Sequence, residues 1–163
     1  MKKLISLLLA VVLIVTFGLF ALGSSDSSSD DQGSGTADAT ESKSNIGEYT
    51  VEIKSCRIAK DYEHKPVVIV SYSFTNNAEN PASFAYAFDD QVYQNGIGLN
   101  EAFILDDSVS WLKDNSTKEI QKGANLDVEM AYVLNDTTTA IEVEVKELFS
   151  FGNDSVKKTF EIK

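Results

Sequence analysis

The chain has 163 residues, with 14 Lys and Arg against 25 Asp and Glu, one Cys, one His and two Pro, for a formal charge of −11. One Cys cannot close an internal disulfide, and one Cys with one His cannot furnish a four-ligand Cys/His zinc site. From residue 46 onward 11 basic groups stand against 20 acidic ones, so the domain lacks the Lys/Arg footprint on which nucleic-acid binding rests, and anionic lipid headgroups repel it for the same reason.

Lys2 and Lys3 precede an uncharged run from Leu4 to Leu22 whose polar interruptions are Ser6 and Thr16. About 18 or more such residues are enough to cross a bilayer, so residues 1–23 are expected to form one N-terminal hydrophobic helix that anchors the chain in the membrane uncleaved. Ala21-Leu22-Gly23 also places small residues where a signal peptidase cuts, and secretion after cleavage following Gly23 is the alternative. The two lysines orient the segment with its N-terminus in the cytoplasm and everything after residue 23 outside. Residues 24–45 hold eight Ser, two Gly and four Asp, with no Val, Ile, Leu or aromatic residue. Such a stretch cannot bury enough apolar surface to offset its chain entropy. It is expected to be a disordered linker with a reach of roughly 25 Å.

Residues 46–163 are expected to fold as one domain, since they hold Trp111, all six Tyr and seven of the nine Phe. Tyr49, Val51 and Ile53 alternate with polar residues, the period of a half-buried strand. Cys56 and Ile58 continue the apolar face out of phase, which predicts a β-bulge between Lys54 and Cys56 with the Cys56 side chain turned inward. Pro66 to Thr75 reads as a central strand, with Val68, Val70, Tyr72 and Phe74 on one face and Val67 and Ile69 on the other. Asn76 to Pro81 is turn chemistry. Ser83 to Phe88 alternates large and small residues as a strand would, Asp89-Asp90-Gln91 reads as a turn, and the glycines flanking Ile97 mark a bend. Glu101 to Leu105 fits a short strand or a helical turn, and 106–117 an irregular loop carrying Trp111. Lys118 to Ile120, Leu126 to Leu134, Ile141 to Val145 and Thr159 to Ile162 complete seven or eight strands with no convincing helix. This predicts an all-β domain of two antiparallel sheets packed face to face, with Asp127, Glu129, Glu142 and Glu144 on solvent faces.

The stretches Pro66 to Asn77, Val92-Tyr-Gln-Asn-Gly-Ile-Gly-Leu99 and Lys122-Gly-Ala-Asn-Leu-Asp-Val128 resemble a family of small extracytoplasmic domains of Gram-positive bacteria, usually described as lipoproteins of unknown function. The resemblance covers most of residues 46–163. It implies an immunoglobulin-like antiparallel β-sandwich that is displayed outside the cell and attached to the membrane, and it implies no reaction. The chain departs from the pattern at Ser24, where a lipidated Cys is expected, so attachment falls to the leader.

No residue set points to catalysis, and no cofactor is expected. His64 lies in a charged turn, Asp61-Tyr-Glu-His-Lys65, with nothing to orient it as a general base. Asp89, Asp90, Asp106 and Asp107, together with Asn135-Asp136, supply oxygen ligands of the kind calcium takes and are weak calcium candidates, but none has the spacing of a calcium loop, and turn formation and N-capping are the better account of them. Asn115, Asn135 and Asn153 open Asn-x-Ser/Thr triplets. Trp111, with Phe103 before it in a loop-rich stretch, is the candidate binding position, because loop aromatics at the end of a sandwich serve as anchors; a Trp closing the end of the core is the competing reading. The functional expectation is a non-enzymatic, extracytoplasmic, membrane-tethered module that binds a protein or envelope ligand. A secreted acidic inhibitor or shield against a cationic envelope protein is the alternative.

Overall fold

The computed structural model describes residues 42–104, 109–112, 114–149 and 152–162. The expected anchor, most of the linker, Asp106 and Asp107 lie outside the described residues. Among the described residues, eight strands and one helical turn follow in chain order: β1 (Lys43–Ile46), β2 (Tyr49–Lys60), β3 (Pro66–Asn76), α1 (Phe84–Ala87), β4 (Phe88–Gln94), β5 (Ile97–Gly98), β6 (Asn125–Val133), β7 (Ile141–Glu147) and β8 (Ser155–Phe160). They build two four-stranded sheets, ordered β1-β2-β3-β6 and β5-β4-β7-β8, with every pairing antiparallel. The fold is therefore all-β, as the alternating apolar pattern requires.

The core between the sheets is made by the inward period-2 positions. Val51, Ile53, Val68, Val70, Tyr72 and Phe74 of the first sheet meet Phe88, Val92, Ile141, Val143, Val145 and Val156 of the second. Phe84 links the layers, with its ring 5.0 Å from Tyr72 and 5.5 Å from Phe88. β3 is covered on both faces, because Val67 and Ile69 on its outer side join Ala102, Ile104 and Ala131 in a second, smaller core. That explains a strand of near-continuous apolar residues in an antiparallel sheet, where one polar face is the norm.

The register of β2 on β3 shifts between Ile53 and Ser55, where the sequence places a bulge. A bulge frees ladder carbonyls, and here Lys158 of β8 reaches across from the other sheet. Its ammonium donates to the Ile53 carbonyl at 2.9 Å and to the Lys54 carbonyl at 2.8 Å, and lies 4.9 Å from the centre of the Phe160 ring. The bulge and the lysine thus tie the edges of the two sheets together. Lys158→Met keeps the aliphatic stem and removes the donor, and it is expected to lower unfolding free energy by about 2 kcal/mol, since bonds to charged groups are worth more than neutral ones. Urea titration of both proteins measures this as a lower midpoint at unchanged slope.

Several local expectations change. Ser83 to Phe88 is not a strand: Phe84–Ala87 is one helical turn, and β4 begins only at Phe88. Phe84 and Phe88 are four residues apart, a spacing that serves a helical turn as well as a strand, and Tyr86 is left 75% exposed. Asp89 and Asp90 lie inside β4 rather than in a turn. The chain reverses later, at Asn95-Gly96, where φ values of 54° and 73° supply the left-handed pair of a two-residue hairpin joining Gln94 to Ile97. β1 begins at Lys43, inside the stretch assigned to the linker. Around Ile120 there is only an isolated bridge to Ala82, and the last strand starts earlier than expected, at Ser155. Ile58 lies on the core side of β2 opposite Val68, as the bulge requires, but is left 42% exposed.

Candidate functional site

The site grows out of the long connection between β5 and β6. Residues 100–102 run along the free edge of β6: Val133 N–H donates to Asn100 at 2.9 Å, and Ala102 N–H donates to Ala131 at 2.8 Å. This places Ala102 and Ile104 against the outer face of the first sheet and leaves Phe103 pointing away, 77% exposed. The alternation that buries two residues and exposes the one between them is the strand period acting in a loop.

The returning segment, 109–112, crosses the same face. Val109 and Trp111 pack on the small outer core, and Trp111 is left half-buried. Trp111 therefore does not close the end of the main core; it lies on the outside of the first sheet. Glu129 of β6 holds it there. One carboxylate oxygen of Glu129 accepts from the Ser71 hydroxyl at 3.0 Å, and the other accepts from Leu112 N–H at 2.8 Å and from Arg57 at 3.2 Å. Arg57 also donates to the Ser110 carbonyl at 2.7 Å, and the Asn115 side chain to the Asp127 carbonyl at 2.8 Å. Glu129, expected on a solvent face, is instead only 12% exposed along its side chain.

Between residues 100–104 and the returning segment lies a cleft of about 210 Å³, lined by Glu101, Phe103, Trp111, Ser116, Glu129 and Met130 among others. An aromatic wall with two carboxylates at its edge suits a ligand with an apolar group beside a positive or hydrogen-donating one. The structure thus brings the two sequence-chosen aromatics, Phe103 and Trp111, to one cleft. It adds Arg57, Ser71, Glu129 and Met130, which sequence reasoning missed. Ser71 and Glu129 are directly paired in the β3–β6 register, a contact visible only once the strand partners are known.

The other sequence candidates fall elsewhere. Asp90 points between the sheets, where the Tyr132 hydroxyl donates to its carboxylate and lies 3.3 Å from its carbonyl. Burial pushes the Asp90 carboxyl up from 3.8 to about 6, the neighbouring tyrosine hydroxyls offset part of this, and Glu101 adds to it. Burial also pushes the Tyr132 and Tyr72 phenols well up. Asp89 is exposed on the opposite side of the strand, so the two neighbours do not converge. Among the described residues no group of three or more His, Cys, Asp or Glu is placed to hold a metal ion. His64 is exposed in the β2–β3 turn with a φ of 63°. Cys56 is half-buried against the main core, and burial raises its thiol while Lys158 offsets part of the rise.

These features define a two-sheet antiparallel domain that carries an aromatic-lined cleft on one outer face. Residues 24–147 match the DUF5067 family, a domain of unknown function, and the chain belongs to that family. Its fold is similar to that of a candidate lipoprotein of Staphylococcus aureus subsp. aureus NCTC 8325, with a TM-score of 0.55 at 15% identity over 73% of this chain and 91% of that one. It is similar as well to the yjhA protein of Bacillus subtilis, with a TM-score of 0.50 at 12% identity over 74% of this chain and 96% of that one. At such identities the likeness is one of fold. No curated protein matches.

Proposed function

We propose that the protein is a non-enzymatic binding module held outside the cell at the membrane by its apolar leader. The observation that carries this reading is the exposed Phe103 standing beside the half-buried Trp111 over a preformed cleft. A large aromatic side chain that is left in water next to a half-covered one is the usual anchor of an interface. The Staphylococcus aureus relative is described as a candidate lipoprotein, which supports an extracytoplasmic position; the leader takes the place of the lipid. We read the two packed antiparallel sheets as an immunoglobulin-like scaffold that presents loops for recognition. This chain keeps β1, β2 and β3 together in one sheet.

Trp111 is the protein's single tryptophan, so its emission reports on the cleft directly. The full chain in nanodiscs, titrated with short tryptophan-free peptides that place Leu or Phe beside Lys, is expected to show a saturable change in emission. Phe103→Ala is expected to weaken this about tenfold or more while leaving far-ultraviolet circular dichroism unchanged. No emission change with any such peptide, or the same affinity after Phe103→Ala, sinks the proposal. Affinity that falls steeply with salt and survives Phe103→Ala points instead to the acidic shield, whose contacts are charge pairs.

A further inference from the structure

The outer face of the second sheet carries a larger depression, about 440 Å³, on the layer opposite the Trp111 cleft and independent of it. Its floor follows from strand register. Tyr93 of β4 pairs with Glu142 of β7, which pairs with Thr159 of β8; one step along, Gln91, Glu144 and Lys157 form the next row. All six alternate with core residues and so face outward. On the far side of Tyr93 the register partner is Gly98 of β5, over which the Gln91 side chain folds to donate to the Leu99 carbonyl at 3.1 Å. The Asn95-Gly96 turn lines one end.

The charges in this depression are already satisfied. Glu144, only 9% exposed along its side chain, pairs with Lys146 at 3.1 Å and with Lys157 at 3.3 Å, and Lys157 also reaches Glu142 at 3.6 Å. A sheet face that is merely solvated keeps its central carboxylate wet; this one is covered by its neighbours. Burial pushes the Glu144 carboxyl up, but hydrogen bonds from Lys146 and Lys157 outweigh it and hold the group below its ordinary range. An anion would have to displace the carboxylates, and a cation would have to displace Lys157. A neutral ligand rich in hydroxyl groups needs neither. Its hydroxyls donate to the unfilled lone pairs of Glu142 and Glu144, accept from Lys157, and exchange bonds with Thr159 and Asn95, while its C–H face lies on the Tyr93 ring.

We infer that the outer face of the second sheet is a saccharide-binding site, with Tyr93 as the platform for a pyranose ring and Glu142, Lys157 and Thr159 as its hydroxyl partners. The volume lies within the roughly 300–1,000 Å³ of small-ligand sites. The assignment is separate from the cleft at Trp111, and either can hold without the other.

Calorimetric titration of the full chain in nanodiscs tests it, using maltose and the disaccharide of N-acetylglucosamine as probes and spermidine and glycerol phosphate as charged counter-probes. At least one disaccharide is expected to bind with a dissociation constant near or below about 1 mM. Tyr93→Ala is expected to weaken that binding about tenfold or more, Thr159→Val several-fold, and Phe103→Ala not at all. Unchanged far-ultraviolet circular dichroism checks that each variant is folded. If Tyr93→Ala does not fold, Thr159→Val and Glu142→Gln carry the test. No heat from either disaccharide at about 10 mM, binding that all three variants leave intact, or preferential binding of spermidine or glycerol phosphate overturns the assignment. Disaccharide binding that is lost in Phe103→Ala overturns it as well, and moves the ligand to the Trp111 cleft.

Discussion

Replacing Gln94 by Leu is expected to lower unfolding free energy by about 3 kcal/mol or more, an effect of the size normally seen for a large core truncation. Gln94 is the last residue of β4 and is fully buried. All four hydrogen-bonding positions of its amide are used on one loop. Its oxygen accepts from Asn135 N–H at 2.9 Å and Asp136 N–H at 3.2 Å, and its nitrogen donates to the Asp136 carbonyl at 3.1 Å and the Thr139 carbonyl at 2.9 Å. The loop it holds carries the chain from β6 in the first sheet to β7 in the second. Asp136 stiffens the same loop from outside: its carboxylate accepts from the main chain of Thr138 at 2.8 Å and Thr139 at 2.7 Å. Those main-chain bonds, with the threonine hydroxyls, hold the Asp136 carboxyl down at about 2. Leu fills the volume of Gln94 but leaves two N–H groups and two carbonyls without their partner. Urea unfolding gives the energy, and hydrogen exchange at Asn135 and Asp136 gives the place. Unchanged exchange at those two amides, with unchanged stability, refutes the staple.

Buried polar staples of this kind mark the limit of what the sequence reveals. Period-2 alternation was enough to find β2, β3, β6 and β7, and the phase slip after Ile53 was enough to find the bulge, because both depend on neighbours within one strand. The lysine that completes the bulge was not legible. Lys158 occupies an inward position of β8, opposite Val143, so it breaks the apolar alternation that would have announced the strand. Asn76 and Gln94 read as turn and surface residues, because their partners are main-chain groups that, apart from Asn80 and the Ala78 N–H near Asn76, are more than forty residues away. Glu129 and Glu144 read as solvent-facing for a similar reason: the cover over Glu129 comes from a loop, and over Glu144 from Lys146 on its own strand and Lys157 on the next. At the candidate cleft, Phe103 and Trp111 could be chosen as loop aromatics. Their convergence over the outer face of the first sheet could not, since it depends on residues 100–102 pairing with the edge of β6.

Asp90→Asn is expected to stabilise the protein at pH 7.5 by about 2–3 kcal/mol and to remove most of a pH dependence present in the parent. Asp90 sits where β4 faces the first sheet, accepts a hydrogen bond from Tyr132, and among the described residues has no cation as a close partner. Its folded-state value is about 6 against an ordinary 3.8. The direction of linkage follows: the folded state holds the proton more tightly than the unfolded one, so acidification favours folding. This contribution is fully present below pH 3.8, declines as pH rises, and is gone above about 6. At about 1.4 kcal/mol for each pH unit between the two values, about 3 kcal/mol separates the two limits. Asn carries no charge at any pH, and its oxygen still accepts from Tyr132. Its amide nitrogen also faces the fully buried Tyr72 hydroxyl, one of the two tyrosine hydroxyls that interact with the Asp90 carboxylate. Urea midpoints of both proteins at pH 5 and pH 7.5 decide the matter. The parent should be the more stable at pH 5, and the gain from Asn should be larger at pH 7.5. A parent that loses stability between pH 7.5 and pH 5, or a variant destabilised at both, shows that Asp90 is solvated or paired and that Tyr132 does not hold it as a buried acid.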